Sequence, residues 1–436
     1  MQPSGLFLYI SFMKIEKLHE LFLKFSTIST DTRKVTKDCI FFALKGENFD
    51  GNTYAKKALE SGAKYAVIDD ERFADSDATI LVPDVLTCLQ QLANFHRNFY
   101  KTKVIALTGS NGKTTTKELI NSVLCTTYKT IATVGNLNNH IGVPLTLLAI
   151  KEDTEIAIIE MGANHQKEIE FLCNIAEPDF GYITNFGKAH LEGFGSFEGV
   201  IKGKSELYDY LQKDEKPIFF NADDELQANK LSNYINKFGF SETDSHYYNI
   251  QLKEADPFVQ IIFENQEIVS NLIGAYNFIN CCAAIIMGKY FNVSIDQIKN
   301  GIERYIPSNN RSQVLTQNTN EIILDAYNAN PSSMKAALDN FSKLKTTKKI
   351  VFLGDMFELG STAPEEHQHI AELTSALNFT EAFLIGENFD VTTSDLKTFK
   401  SFNELAVFLK TNTFKDASIL IKGSRGMALE RVLDLL

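Results

Sequence analysis

The string Thr108-Gly109-Ser110-Asn111-Gly112-Lys113-Thr114-Thr115 is the strongest chemical signal in the sequence. It follows an apolar run, Val104–Leu107, and opens a stretch of helical periodicity. A glycine turn between strand and helix aims backbone N–H groups and a helix N-terminus at an anion. Lys113 can reach the β- and γ-phosphates of a nucleotide, and the Thr114 hydroxyl can ligate Mg2+. The strict pattern GxxxxGK[ST] asks for glycine at 107, where this chain has Leu107, so the loop is a shorter-spaced variant, GxxGKT. The second signal is Ile156–Glu160 (IAIIE), an apolar strand ending in a carboxylate. An acid ending a strand is common, but beside a phosphate loop in one sheet it is placed to hold Mg2+.

Weaker signals surround these two. The loops Gly135–His140 (GNLNNH) and Gly162–Gln166 (GANHQ) each follow a strand, where ligands bind in α/β sheets. Asp325–Pro331 (DAYNANP) and Lys422–Gly426 (KGSRG) stand at strand ends too, and each alone is compatible with a plain loop. His190 in HLEG and Lys204 in KGKSELY are, on chemistry alone, an ordinary histidine and an ordinary helix lysine.

Those residues must be carried by regular elements, and the punctuation divides the chain into three blocks. The first, residues 1–100, holds strands at Cys39–Leu44 and Tyr65–Ile68 and helices near Tyr54–Ser61 and Leu86–Phe99. The second, 101–308, adds strands at Thr130–Val134, Ile156–Glu160, Gly181–Thr184 and Pro217–Asn221 with helical periodicity between them. Such alternation predicts a parallel sheet covered on both faces. A β-rich patch at Tyr247–Ile273 and helices near Tyr276–Tyr290 and Ser294–Tyr305 close that block, and Pro307–Asn310 reads as a linker. The third, 309–436, alternates strands Glu321–Asp325, Lys349–Gly354, Ala382–Gly386 and Ser418–Lys422 with helices, the last after Lys422. The fold class expected is α/β: a small N-terminal α/β domain, a central parallel-sheet P-loop domain and a doubly wound, Rossmann-like C-terminal domain. The third block lacks GxGxxG after its first strand, so it gives no sign of dinucleotide binding.

The chain has 436 residues, of which 44% are hydrophobic and 22% charged, as in globular proteins. Lys plus Arg is 43 against 55 Asp plus Glu, a net charge of −12, which argues against a general nucleic-acid or anionic-membrane binder. The six cysteines, Cys39, Cys88, Cys125, Cys173, Cys281 and Cys282, form no CxxC pair and read as reduced thiols of a cytoplasmic protein. No apolar run reaches the ~20 residues of a membrane span. Residues 1–12 read as a loose extension, with translation expected to start at Met13.

The motifs TGSNGKTT, GNLNNHIGVPLTLL, IIEMGANHQKEI, TNFGKAHLEGFGS, DAYNANPSS, GDMFELG and KGSRG, in this order, resemble those of the Mur ligases. Ser29–Arg33 (STDTR) and Phe42–Gly51 (FALKGENFDG) match near the N-terminus, so the resemblance runs from about Met13 to the end. It implies a cytoplasmic ligase of peptidoglycan precursor synthesis, and so a part in cell-wall biogenesis, cell shape and cell division. The member most resembled phosphorylates the terminal carboxylate of UDP-MurNAc-tripeptide with ATP and adds D-Ala-D-Ala to the acyl phosphate. Monomers are expected, without nucleic-acid partners or membrane insertion.

The resemblance also implies roles. Gly109, Ser110, Asn111, Gly112, Lys113, Thr114 and Thr115 would hold the triphosphate. Thr114 and Glu160 would ligate one Mg2+, and His190 a second. Lys204 matches a lysine that related ligases carry as a carbamate beside that metal. Asn277 and Asn280 would lie on the adenine side, with Arg311 and Asp325 at the phosphates and ribose. Asp31, Thr32, Arg33, Lys45 and Gly46 would meet the uridine diphosphate and Asn138 and Asn139 the sugar, while Asn328, Lys422, Ser424 and Arg425 complete the substrate-binding set. Tyr276 stands where the family usually has histidine, and Asn310 where it often has glycine. The rival reading, a sister ligase adding the third amino acid, would carry Asp-Asn-Pro-Arg, which this chain lacks. A folylpolyglutamate synthase lacks the NLNNH and AHLEGFG strings, and a non-catalytic nucleotide scaffold would not need Lys113, Thr114, Glu160, His190 and Lys204 all intact.

Overall fold

The computed structural model describes residues 13–308 and 310–436. The extension expected at 1–12 and Asn309 of the expected linker lie outside the described residues. The chain packs as two units.

The first unit takes in residues up to Val104, Thr133–Ala157 and Phe171–Glu177. Helix α1 (Ile15–Phe25) buries Leu18, His19 and Phe22, a spacing of one and three that puts them on one helix face. Strands β1 (Ile28–Ser29) and β2 (Ile40–Phe42) are followed by a hairpin of β3 (Lys45–Gly46) and β4 (Phe49–Asp50), then helix α2 (Ala55–Glu60), β5 (Tyr65–Ile68) and β6 (Thr79–Leu81). The parallel sheet runs β1-β2-β5-β6. Helix α3 (Val85–Tyr100) starts at Asp84, whose carboxylate accepts from the Thr87 N–H. Tyr65–Ile68 is present as expected and the other expected elements have ends moved by one or two residues; helix α1, the β3–β4 hairpin and the short strands β1 and β6 are additions.

A buried histidine pair joins α1 to α3. His96 Nε2 lies 2.9 Å from the Ile150 carbonyl, which can only accept, so Nε2 carries the proton and Nδ1 is bare. His19 Nε2, 2.9 Å away, must then donate to that Nδ1, and both rings are neutral. Burial, and then the neighbouring His96, lowers the His19 pKa from 6.5 to about 4. A depressed histidine means that the unfolded chain binds more protons, so this contribution is complete above pH 6.5 and is lost as pH falls towards 4. Hydrogen exchange, corrected for intrinsic rate, should show lower protection of α1 amides at pH 5 than at pH 7. His19→Gln should shrink the difference, the rest coming from His96, whose pKa burial also lowers, and equal protection at both pH values in the wild type would overturn the argument.

The second unit takes in Ile105–Ala132, Ile158–Glu170 and Pro178–Leu436. Along its first sheet come β7 (Lys103–Thr108), α4 (Lys113–Leu124), β8 (Thr130–Ala132), α5 (Gly142–Leu147, packed in the first unit) and β9 (Ile156–Glu160). They are followed by α6 (Glu168–Ala176, packed in the first unit from Phe171 on), β10 (Phe180–Ile183), α7 (Leu191–Phe194), α8 (Phe197–Lys213), β11 (Ile218–Asn221), α9 (Glu225–Lys230), β12 (Lys237–Ser241) and β13 (Tyr248–Asn249). The order is β13-β12-β11-β10-β7-β9-β8, with β7 and every strand from β10 to β13 in parallel register. All five residues of β9 are buried, as expected of a strand covered on both faces. An antiparallel sheet of β14 (Gln251–Glu254), β15 (Phe258–Phe263) and β16 (Gln266–Ile273) precedes α10 (Tyr276–Tyr290) and α11 (Ile295–Glu303). Helix α10 is buried almost all round, Asn277 and Asn280 included, and packs on α4.

The C-terminal sheet is built from β17 (Gln313–Gln317), β18 (Asn320–Asp325), α12 (Pro331–Lys343), β19 (Lys349–Gly354), α13 (Ala363–Ala376), β20 (Glu381–Ile385), α14 (Glu387–Asp390), β21 (Lys397–Phe399), α15 (Phe402–Leu409) and β22 (Ser418–Lys422). The order β17-β18-β22-β19-β20-β21 is parallel except for the edge pair β17–β18. Two expectations are corrected here. The edge strands β17 and β21 are additional, hidden by an only half-buried pattern in β17 and by the three-residue length of β21. The last segment is 3-10 helix, at Arg425–Met427 and Leu429–Leu435, and not α-helix, because Ala428 between them takes φ +47° and breaks the helical path. No helix among the described residues is long and apolar enough to cross a membrane.

Candidate active site

The first-named loop lies at the C-terminal end of β7, where helix α4 begins. Gly109 has φ +143°, and a Cβ there would stand 2.0 Å from Thr184 Oγ1; Gly112 has φ +78° and leads into the helix. Two loop amides are already engaged: the Asn111 N–H donates to Asn185 Oδ1 at 3.0 Å and the Ser110 N–H to the Asn185 carbonyl at 3.1 Å. Thr184 Oγ1 and Asn185 Nδ2 also donate to the Asn111 carbonyl, at 2.6 and 3.0 Å. No side chain caps α4, so the N–H groups of Lys113, Thr114 and Thr115 are the ones left for an anion. A narrow backbone cradle, kept open by glycine and floored by an uncapped helix of twelve residues, fits a nucleotide phosphate.

Lys113 Nζ folds back on this cradle, donating to the Gly109 carbonyl at 2.7 Å and the Ser110 carbonyl at 3.3 Å. Burial pushes its pKa down, the Glu160 carboxylate draws it up and the Arg311 charge pushes it down again. Those influences bring Lys113, Glu160 and Arg311 into one electrostatic neighbourhood. Arg311 stacks on the Tyr327 ring, its guanidinium carbon 3.6 Å from the centroid, and its Nε is buried with no hydrogen-bond partner. That donor is available to an acceptor that a ligand would bring.

The expected metal residues are Thr114, 7% exposed, Glu160, 2% exposed at the end of β9, and His190, which precedes α7. Among the described residues no three of His, Cys, Asp and Glu form a cage. The Thr114 alcohol and the Glu160 carboxylate suit Mg2+, which is usually held by one or two carboxylates together with substrate phosphates, whereas an imidazole is the less usual ligand for it. Lys204 is fully buried on α8; its Nζ donates to the Ala163 carbonyl at 2.9 Å and lies 5.0 Å from the centre of the Phe194 ring. Burial and then the Lys113 charge hold its pKa well below the ordinary lysine value.

Asn277 and Asn280 sit beside the phosphate helix, but largely as its support. Asn280 Nδ2 donates to Asn277 Oδ1 at 2.8 Å, Thr116 Oγ1 donates to Asn280 Oδ1 at 2.9 Å, and Asn277 Nδ2 donates to the Ile273 carbonyl. Asp325 accepts from the Ser312 N–H at 3.1 Å and from Lys422 Nζ at 2.6 Å, the two side chains meeting across the β18–β22 register. Lys422, 2% exposed, also donates to the Asn328 carbonyl. Ser424, equally buried, accepts from the Phe357 N–H. Of KGSRG, Arg425 and Gly426 are exposed, and Arg425 pairs with Glu430 at 2.9 Å. Lys422 and Ser424 therefore knit strand ends together.

Asp31, Thr32, Arg33, Lys45, Gly46, Asn138 and Asn139 belong to the first unit. Asp31 caps the 3-10 turn Thr32–Lys34 and pairs with Arg33 at 2.7 Å, and that partner holds the Asp31 carboxyl at about 2. Lys45 pairs with Asp69 at 2.8 Å. Asn139 Oδ1 accepts from the N–H groups of Ile141 and Gly142.

Four residues at the site escaped the sequence reading. Asn185 holds the loop amides. Asn330 caps α12 and donates from Nδ2 to Asn111 Oδ1 at 2.7 Å. Glu366 pairs with Lys188 at 2.6 Å, and Glu358 stands 2.6 Å from His190 Nδ1. Asn330 had a visible sign, since asparagine before proline at a helix start reads as a cap, but nothing local pointed to its partner.

Comparison with known proteins covers nearly the whole chain. Residues 107–288 match the model of the Mur ligase middle domain, 310–425 that of the Mur ligase, glutamate ligase domain, and 24–97 that of the Mur ligase family, catalytic domain. The chain is similar to the UDP-N-acetylmuramoyl-tripeptide–D-alanyl-D-alanine ligase of Bacillus subtilis, 37% identical over 422 residues that cover 93% of this chain and 92% of the other. Among solved structures, MurF from Acinetobacter baumannii superposes with a TM-score of 0.84 at 31% identity, covering 94% of this chain and 93% of that one. MurF ligase from Thermotoga maritima in complex with ADP gives 0.82 at 25% identity, covering 94% and 96%.

Proposed function

The chain belongs to the Mur ligase family, and from that premise we propose that it joins D-alanyl-D-alanine to UDP-MurNAc-tripeptide in a reaction driven by ATP. It is a carbon–nitrogen ligase of peptidoglycan precursor synthesis. The observation that carries this reading is a likeness to enzymes of that activity that spans all three matched stretches and both units of the chain. Those stretches also support the division at about residues 100 and 308.

A carboxylate oxygen is a poor leaving group, so the amide cannot form unaided. The γ-phosphate passes to the terminal carboxylate of the tripeptide, with release of ADP. The free amine of the dipeptide attacks the acyl carbon, expels phosphate and loses a proton. The α4 N-terminus and Lys113 suit the binding of the triphosphate, and Arg311 offers a second cation to it. Mg2+ held at Thr114, Glu160 and His190 would neutralise charge between two anionic reactants. Lys204, reacted with CO2 to a carbamate, would bring a negative charge to the metal side. Asp31, Thr32, Arg33, Lys45, Gly46, Asn138 and Asn139 suit the UDP-sugar end, and Asn277, Asn280 and Asp325 the nucleoside end. Free thiols at all six cysteines suit a cytoplasmic setting.

Phosphate release should be strong with Mg-ATP, UDP-MurNAc-tripeptide and D-Ala-D-Ala together, and the product mass should rise by one dipeptide. Turnover of the dipeptide precursor with a single diamino acid would move the chain to a sister ligase, and silence with every acceptor would sink the reading.

A further inference from the structure

The string GDMFELG, Gly354–Gly360, takes no part in the chemistry above, yet it reaches the metal-side histidine. Glu358 Oε2 lies 2.6 Å from His190 Nδ1, off the line of the ring N–H, and no hydrogen-bond partner meets that buried nitrogen. The same residue accepts the Glu192 N–H on its main-chain carbonyl at 3.2 Å. His190 and Glu358 both have left-handed backbone, φ +53° and +62°, a conformation unusual outside glycine that tertiary contacts must hold. Both loops are anchored. The Met356 N–H donates to His367 Nε2 and the Phe357 N–H to Ser424 Oγ, each at 2.9 Å, and both acceptors are buried. On the other side Lys188 pairs with Glu366, and its N–H donates to Ser332 Oγ at 3.0 Å.

We propose that Glu358 is a positioning residue, whose carboxylate on Nδ1 fixes the tautomer and orientation of His190 that present Nε2 to a divalent cation. The inference rests on the reading of His190 as a metal ligand. A histidine ligand must be neutral at the metal-binding nitrogen, and a carboxylate on the opposite nitrogen keeps the proton there and raises the basicity of the ligand. Losing such a partner costs about 10–100-fold in metal affinity or activity. The third block would thereby complete a metal site whose ligands lie in the second.

The test is Mn2+ titration of the full chain with a non-hydrolysable ATP analogue, followed by electron paramagnetic resonance. Wild type, Glu358→Gln, Glu358→Ala, His190→Ala and the double alanine variant are compared. Glu358→Ala should weaken the histidine-dependent Mn2+ by about 10–100-fold and reduce the imidazole nitrogen modulation, with a smaller effect in Glu358→Gln. Affinity for the metal-free nucleotide should not move, and the double variant should bind no worse than His190→Ala. Unchanged or tighter Mn2+ binding in Glu358→Ala overturns the proposal, the tighter case meaning that the carboxylate competes with the ion. If His190→Ala itself leaves Mn2+ binding and its nitrogen signal intact, the underlying reading of His190 fails instead.

Discussion

Lys113→Ala is expected to lower kcat/KM by about 10³-fold while leaving the chain folded. The lysine is a cation folded over a backbone cradle, and its two present acceptors are loop carbonyls that a phosphate would replace. Its charge matters most where negative charge shifts from the γ-phosphate to the leaving ADP. Burial disfavours that charge, and the Glu160 carboxylate restores part of it. The fold should survive because each lost hydrogen bond is worth about 0.5–1.5 kcal/mol, and the variant no longer desolvates a cation. Lys113→Met, which keeps the stem without the charge, should be as inactive as alanine. Circular dichroism and phosphate release check both halves. Turnover within about tenfold of wild type in a folded variant, a loss of under 1.4 kcal/mol, would remove Lys113 from the machinery.

The chemistry at the strand ends was legible because it is local. The glycines, Lys113 and Thr114 fall within one turn, and IAIIE at Ile156–Glu160 matches β9 residue for residue. The apolar runs 349–354 and 418–422 were equally plain, because strands buried on both faces are apolar throughout. Support for the site was not legible, because it comes from far along the chain. Asn330 and Asn111 are 219 residues apart, and neither residue's neighbours announce the bond. Glu358 is one carboxylate in a turn. The resemblance implies Lys422 as a substrate contact, and no local pattern foretold that its ammonium is buried against Asp325. The grouping of 133–157 and 171–177 with the first hundred residues is discontinuous, and no linear punctuation marks it.

Lys204→Ala should lose about 10²-fold or more in activity and recover part of it with added formate or acetate. Lys204 is fully buried and its Nζ has one hydrogen bond, to Ala163. An ammonium there would hold two further N–H groups to satisfy, close to the repelling charge of Lys113. Burial and the Lys113 charge favour the neutral amine over the ammonium, and the neutral amine is the form that reacts with CO2. The nitrogen lone pair attacks the carbon, one C–O π bond becomes an oxyanion, and the nitrogen loses a proton. The Lys113 charge that disfavours an ammonium at this position would favour a carbamate there, so one neighbour would act on both halves of the proposed change. In the wild type, removing dissolved CO2 should lower turnover and bicarbonate should restore it, with the intact mass rising by one CO2. Lys204→Arg, which cannot form the carbamate, should resemble alanine but resist rescue because its stem fills the space a carboxylate needs. Wild-type-like turnover by Lys204→Ala, without any added carboxylate, would show that the buried lysine serves packing alone.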